Sequence, residues 1–246
     1  MIADLRTMMW KEWKELLLQH GSLRSGLIPM VIIPLGMMGV LLPWQMGRAW
    51  VESPLTLALW AWLPLMLATS MIADSFAGER ERHTLETLLA SRLPDRAILF
   101  GKIGAVVAYG WGLTLLSVLL GLITINLTED RSELLLYSRG VAVGIVVLSL
   151  LGSGLAAGAG VLVSLRAATV RQAQQILMIA IMLLLFVPVY GVQLLSEQWR
   201  ARIVNALLAG GRTWFLLILM IVLAALDAAL LIAAMAQFRR ARLILD

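Results

Sequence analysis

WFLLILMIVLAALDAALLIAAMAQ, residues 214–237, carries a single charge in twenty-four residues, and its reading decides the fold. Each helical residue adds about 1.5 Å, so roughly 20 apolar residues cross the ~30 Å hydrocarbon core of a bilayer. Five earlier stretches have the same character, at about 25–44, 55–77, 99–125, 140–165 and 174–195. Pro29, Pro34, Pro64 and Pro188 fall inside them, and membrane helices tolerate such kinks. Together they predict an all-α, polytopic membrane protein with six transmembrane helices, a single domain over residues 1–246. The composition agrees. Hydrophobic residues make up 61% and charged residues 14%, with a mean hydropathy of +0.89. A soluble domain carries about 25% charged residues and about 45–50% apolar ones.

The net charge of +5 would suit nucleic acid, but the basic residues sit at the ends of the apolar runs, where lipid headgroups meet them. Their distribution predicts orientation. Fourteen of the twenty lysines and arginines fall on one side, in the N-terminal segment, the 80–102 segment, Arg166, Arg171 and the tail. The other side has six, and both termini are therefore expected in the cytoplasm, as in the inner membrane of a prokaryote. There is no cysteine, so disulfide and thiolate chemistry are excluded.

Two segments are more than connections. In residues 1–22 the periodicity puts Leu5, Met9, Trp10, Trp13, Leu16 and Leu17 on one face, with Lys11 and Glu15 opposite. Such a helix lies in the membrane interface, with Trp10 and Trp13 at headgroup depth and Lys11 and Lys14 among the cytoplasmic charges. Residues 73–103 read ADSFAGERERHTLETLLASRLPDRAILFGKI. Glu79, Arg80, Glu81 and Arg82 cannot enter hydrocarbon cheaply. After them, Thr84 to Ser91 reads as a short helix with Leu85, Leu88 and Leu89 along one side, and Pro94 closes the segment 78–96. Two readings stand side by side here: a helix built to dock on a partner, or a solvated loop whose charges enforce topology.

Gly154 and Gly158 form a small-xxx-small pair that allows close helix packing, within the chain or with a second one. Asp227 interrupts the last span near mid-depth, either as a functional carboxylate or as a structural hydrogen-bonding group. Catalytic patterns are missing: the sequence has no GxxxxGK[ST], no HExxH and no His/Cys cluster. Ser153 lies in a span, whereas His20 and His83 fall in cytoplasmic segments, which leaves a serine without a base.

The run from Phe76 through Gly78-Glu79-Arg80-Glu81-Arg82, Thr84-Leu85-Glu86-Thr87-Leu88-Leu89 and Pro94 to Leu99-Phe100-Gly101-Lys102 resembles the exporter-like type 2 permeases of ABC transporters. His83 stands where that family usually has glycine, and Arg92-Leu93-Pro94 alters its proline step. Trp10-Lys11-Glu12-Trp13-Lys14-Glu15-Leu16 is similar to the family's opening. The resemblance implies a transmembrane subunit, not an enzyme, that binds no cofactor itself; ATP and Mg would be held by a separate cytoplasmic ATPase. It further implies two paired permease chains, alternating access, an elbow helix at residues 1–22, and an ATPase-docking coupling helix. Glu79, Arg80, Glu81, Arg82, Thr84, Leu85, Glu86, Leu88 and Leu89 would then form the ATPase interface. The alternatives are an ion- or proton-coupled transporter using Asp227 and a membrane scaffold that transports nothing.

Overall fold

The computed structural model describes residues 2–19, 31–52, 55–84, 87–88, 90–128, 134–202 and 211–238. Among these there are helices and no strands. In chain order they are α1 (Ile2–Gln19), α2 (Ile33–Met46), α3 (Ala49–Glu52), α4 (Leu55–Ala73), α5 (Asp95–Thr128), α6 (Arg139–Ser164), α7 (Val170–Leu194) and α8 (Gly211–Gln237). The chain is a multi-pass membrane protein. Four helices are long and apolar enough to cross a bilayer: Leu59–Glu81, α5, α6 and Leu216–Gln237. Ile33–Met46 and Val170–Leu184 are apolar but shorter over the described residues, and the beginning of the expected first span, 25–30, lies outside them.

Helix α4 does not stop at Ala73. It widens into a π-helical stretch, Asp74–Gly78, and closes with a last turn, Glu79–Glu81. The first part of the expected coupling segment is therefore the end of a span. Helix α5 begins earlier than the apolar run suggests, at Asp95, because Pro94 is well placed just before a helix; its carbonyl accepts from Ala97 and Ile98.

Helix α4 packs against both α5 and α6. A Cβ added at Gly152 of α6 would stand 3.2 Å from the Ala61 carbonyl, and one at Gly110 of α5 would stand 3.3 Å from the Pro64 carbonyl. Lipid offers no hydrophobic drive between helices, so association depends on close backbone approach, which only small residues permit. Buried hydroxyls at these contacts are satisfied within their own helices: Thr69 donates to Leu65 O, Thr114 to Gly110 O and Ser153 to Ser149 O. Two apolar cores result. One gathers Met8, Ile72, Phe76, Ile98, Leu99 and Val161 at the end carrying residues 79–102. The other gathers Trp50, Trp60, Leu113, Ile125 and Ile145 towards the opposite end.

Candidate functional site

At the end of α4, Glu79 turns inward, Arg80 is half-buried, and Glu81 and Arg82 are exposed. Lys102, on the first turns of α5, is 1% exposed, and its Nζ donates to Glu12 Oε1 at 2.8 Å, Glu79 Oε1 at 3.0 Å and the Ser75 carbonyl at 2.7 Å. Its ammonium also lies 5.1 Å from the centre of the Phe76 ring. Lys11 of α1 donates to the same Glu79 oxygen at 2.9 Å and pairs with Glu15 at 3.3 Å. A lysine in a span costs several kcal/mol unless its charge is met and its three hydrogens are used. Here all three are.

Glu79, expected at a partner-facing rim, has a side chain only 3% exposed. Its other oxygen, Oε2, is buried without a hydrogen-bond partner. Arg80 caps the end of α6, donating to the carbonyls of Leu165 at 2.7 Å and Ala167 at 2.8 Å. Leu165 is the C-cap of α6 and Ala167 lies just beyond it, so the guanidinium sits at the negative end of that helix's dipole. Glu81 accepts from the backbone N–H of Val170, the first residue of α7, at 3.3 Å, where an acid suits the positive end of the dipole. Arg82 pairs with Asp74 at 3.2 Å. Three successive charges, Glu79, Arg80 and Glu81, thus bind α1, α5, α6 and α7 to α4, while Arg82 folds back on α4 itself.

The π-helical stretch is completed from α6. Widening the turn frees backbone N–H groups, and Ser164 Oγ accepts two of them, Phe76 N at 3.3 Å and Ala77 N at 2.9 Å, while donating to the Ala73 carbonyl at 3.1 Å.

Helix α1 lies along α5. A Cβ at Gly101 would come 2.6 Å from Met8 Cβ, and Trp13 Nε1 donates to the Ala105 carbonyl at 3.3 Å. Trp10 is 70% exposed and Lys14 is also exposed, as an interfacial helix requires. Burial raises the Glu12 carboxyl above the usual carboxylate range, and Lys102 only partly offsets this. For Lys11, burial acts downward but the Glu79 charge and hydrogen bond prevail, so its ammonium is held more tightly than usual. Carboxylate oxygens of Glu12, Glu15 and Glu79 lie within 4.8 Å of one another, a spacing that suits a cation. The Lys102 and Lys11 ammonium groups stand in that position.

Beyond Arg82 the chain reverses at His83, whose φ of 57° is left-handed. That conformation favours glycine, the residue that the resemblance places there. Thr84 and Thr87 are exposed, while Leu88 is half-buried against the core; Leu85, Glu86 and Leu89 lie outside the described residues. A cleft of about 370 Å³ opens between this turn and α1, lined by Lys11, Arg82, Thr84, Thr87 and Leu88 among others.

The remaining candidates meet each other. A Cβ at Gly154 would lie 2.9 Å from Asp227 Oδ2, and one at Gly158 would lie 2.9 Å from Leu230 Cβ, so the glycine pair seats α8 on α6 within the chain. Asp227 is half-buried there, with Oδ1 lacking a hydrogen-bond partner. Sequence reasoning passed over Glu12, Asp74, Lys102 and Ser164 as site residues. Lys102 carried a readable signal, because a lysine entering an apolar run has to find acids.

The pattern of ABC-2 family transporter proteins matches residues 53–206. The chain belongs to the ABC-2 transporter family. The match runs from just before α4 into the segment after α7, so this ABC-2 permease has Glu79 to Arg82, Lys102 and Ser164 inside the family region, with Lys11 and Glu12 reaching it from outside. No curated protein matches the chain. As a member of this family the protein is the membrane subunit of an ABC transporter.

Proposed function

We propose that this permease is the transmembrane half of an ATP-driven exporter, with six spans, both termini in the cytoplasm and a prokaryotic inner membrane as its site. A separate cytoplasmic ATPase, which binds the ATP and Mg, docks on the turn between α4 and α5. Thr84, Leu85, Glu86, Leu88 and Leu89 supply the contact, and a second permease chain completes the path by which alternating access moves the substrate.

The observation that supports this reading is the wiring of the charge run. Glu79, Arg80 and Glu81 tie the start of that turn to α1, α5, α6 and α7. A push on the turn therefore reaches five helices through polar contacts, most of them at least partly buried. Nothing so connected is needed in a loop that only sets topology. The exposed Thr84 and Thr87 beside the cleft leave a surface for the partner.

The test is Thr87→Trp, which adds bulk on an exposed position and disturbs no buried contact. The variant is expected to insert and fold normally, to lose the cognate ATPase on co-purification, and to uncouple ATP turnover from transport in liposomes. An ATPase that remains bound and fully coupled would sink the docking reading.

A further inference from the structure

We propose that Ser164 of α6 is a positioning residue for the charge hub: its hydroxyl holds the Asp74–Gly78 turn wide, and the wide turn hands a backbone carbonyl to Lys102. Ser164 is fully buried, and its one oxygen works at capacity. It accepts from Phe76 N and Ala77 N and donates to the Ala73 carbonyl. All three of those groups belong to α4. Ser153, Thr69 and Thr114 are buried as well, but their hydroxyls turn back on carbonyls of their own helices. Gly160, one turn earlier on α6, leaves no room for a Cβ beside Ile72, so α6 is pressed against α4 just ahead of the wide turn.

The turn changes what the backbone of α4 offers to its neighbours. In a regular helix the Ser75 carbonyl would accept from the N–H four residues on, that of Glu79. Here the Glu79 N–H goes to the Phe76 carbonyl. The Ser75 carbonyl instead accepts from Lys102 Nζ at 2.7 Å, the shortest of the three bonds that hold this ammonium. The turn thus presents N–H groups to α6 and a carbonyl to α5. Lys102 in turn holds Glu12, and through Glu12 it holds α1. A line of buried polar contacts runs from Ser164 through the turn and Lys102 to a helix with which Ser164 shares no hydrogen bond of its own. Buried polar groups joined in this way reinforce one another, so the loss of one is felt along the line. That the line carries movement from a docked ATPase to α6 rests on the reading proposed above; the positioning role does not.

The test is hydrogen exchange, read by mass spectrometry, on the full chain in lipid nanodiscs. Ser164→Ala withdraws the hydroxyl from all three backbone groups, so exchange in α1 should rise about fivefold or more, against less than about twofold over residues 144–153 of α6. Ser164→Cys, which fills the same place with a weaker acceptor, should show the same pattern at smaller size. Ser153→Ala, which removes a buried hydroxyl of α6 bonded within its own helix, should leave α1 as it was. Exchange in α1 that stays unchanged in Ser164→Ala, or rises only in step with residues 144–153, would overturn the proposal. So would a Ser153→Ala variant that loosens α1 equally, or a Ser164→Cys variant that behaves as wild type. None of these readings touches ATPase co-purification, so this inference and the docking reading fail separately.

Discussion

Glu79 and Lys102 meet at 3.0 Å in a place where their side chains are 3% and 1% exposed. The pair lies between α4 and α5, and Glu12 and Lys11 bring α1 to it. Removing one partner from a buried pair leaves an uncompensated charge, which costs roughly 3–5 kcal/mol. Lys102→Met should therefore destabilise the chain by about that much and loosen α1. Adding Glu12→Gln, which removes the stranded charge, should recover a good part of the loss. Thermal unfolding of the three proteins in detergent reads this. A double variant no more stable than Lys102→Met would disprove the account.

The same cluster predicts a dependence on pH. Burial lifts the Glu12 carboxyl above its ordinary value of 4.5. The folded chain then binds that proton more tightly than the unfolded chain does. Its contribution to stability is full below about pH 4.5 and is lost as pH rises through the higher, folded value. Going from pH 7 towards 5, the melting temperature of the wild type should rise relative to that of Glu12→Gln. Parallel curves would show that Glu12 stays charged throughout.

Gly101 is where α1 approaches α5 most closely. Gly101→Ala places a methyl group 2.6 Å from Met8 Cβ, so one element must move. Overpacking of this kind typically costs about 1–3 kcal/mol. The loss should appear as faster amide exchange in α1. If Gly101→Ala leaves α1 as protected as before, α1 is not seated at this position.

His83 offers a gain. Its side chain is exposed and its φ is 57°, so replacing it removes strain and breaks no buried contact. His83→Gly should stabilise the chain by up to about 1 kcal/mol, the left-handed penalty less the extra freedom that glycine has when unfolded. A lower melting temperature would mean that the imidazole does something the backbone angle does not reveal.

The helical bundle was legible because a bilayer demands long apolar runs, and 214–237 can hardly be read otherwise. The motif at 76–102 was legible as well, since its glycines, charges and proline follow one another in order. The direction in which its charges point was not. Glu79 finds Lys102 twenty-three residues away and Lys11 sixty-eight residues away, and no local period encodes such a meeting. Gly154 and Gly158 announced close packing without naming a neighbour; Asp227 and Leu230, over seventy residues later, are that neighbour.

The widened turn at Asp74–Gly78 has one more consequence. A plain α-helix advances about 100° per residue, and a single π turn absorbs roughly one residue without that advance. Glu79 therefore lies at the angle that a regular helix would give to its predecessor. Drawn as an uninterrupted wheel, α4 would carry its final turn about 100° out of phase, with the carboxylate swung away from Lys102. The chain should on this account respond asymmetrically to changes in length here. Deleting one residue between Asp74 and Gly78 would let the helix run true and keep Glu79 in step, whereas inserting one would rotate it out of reach.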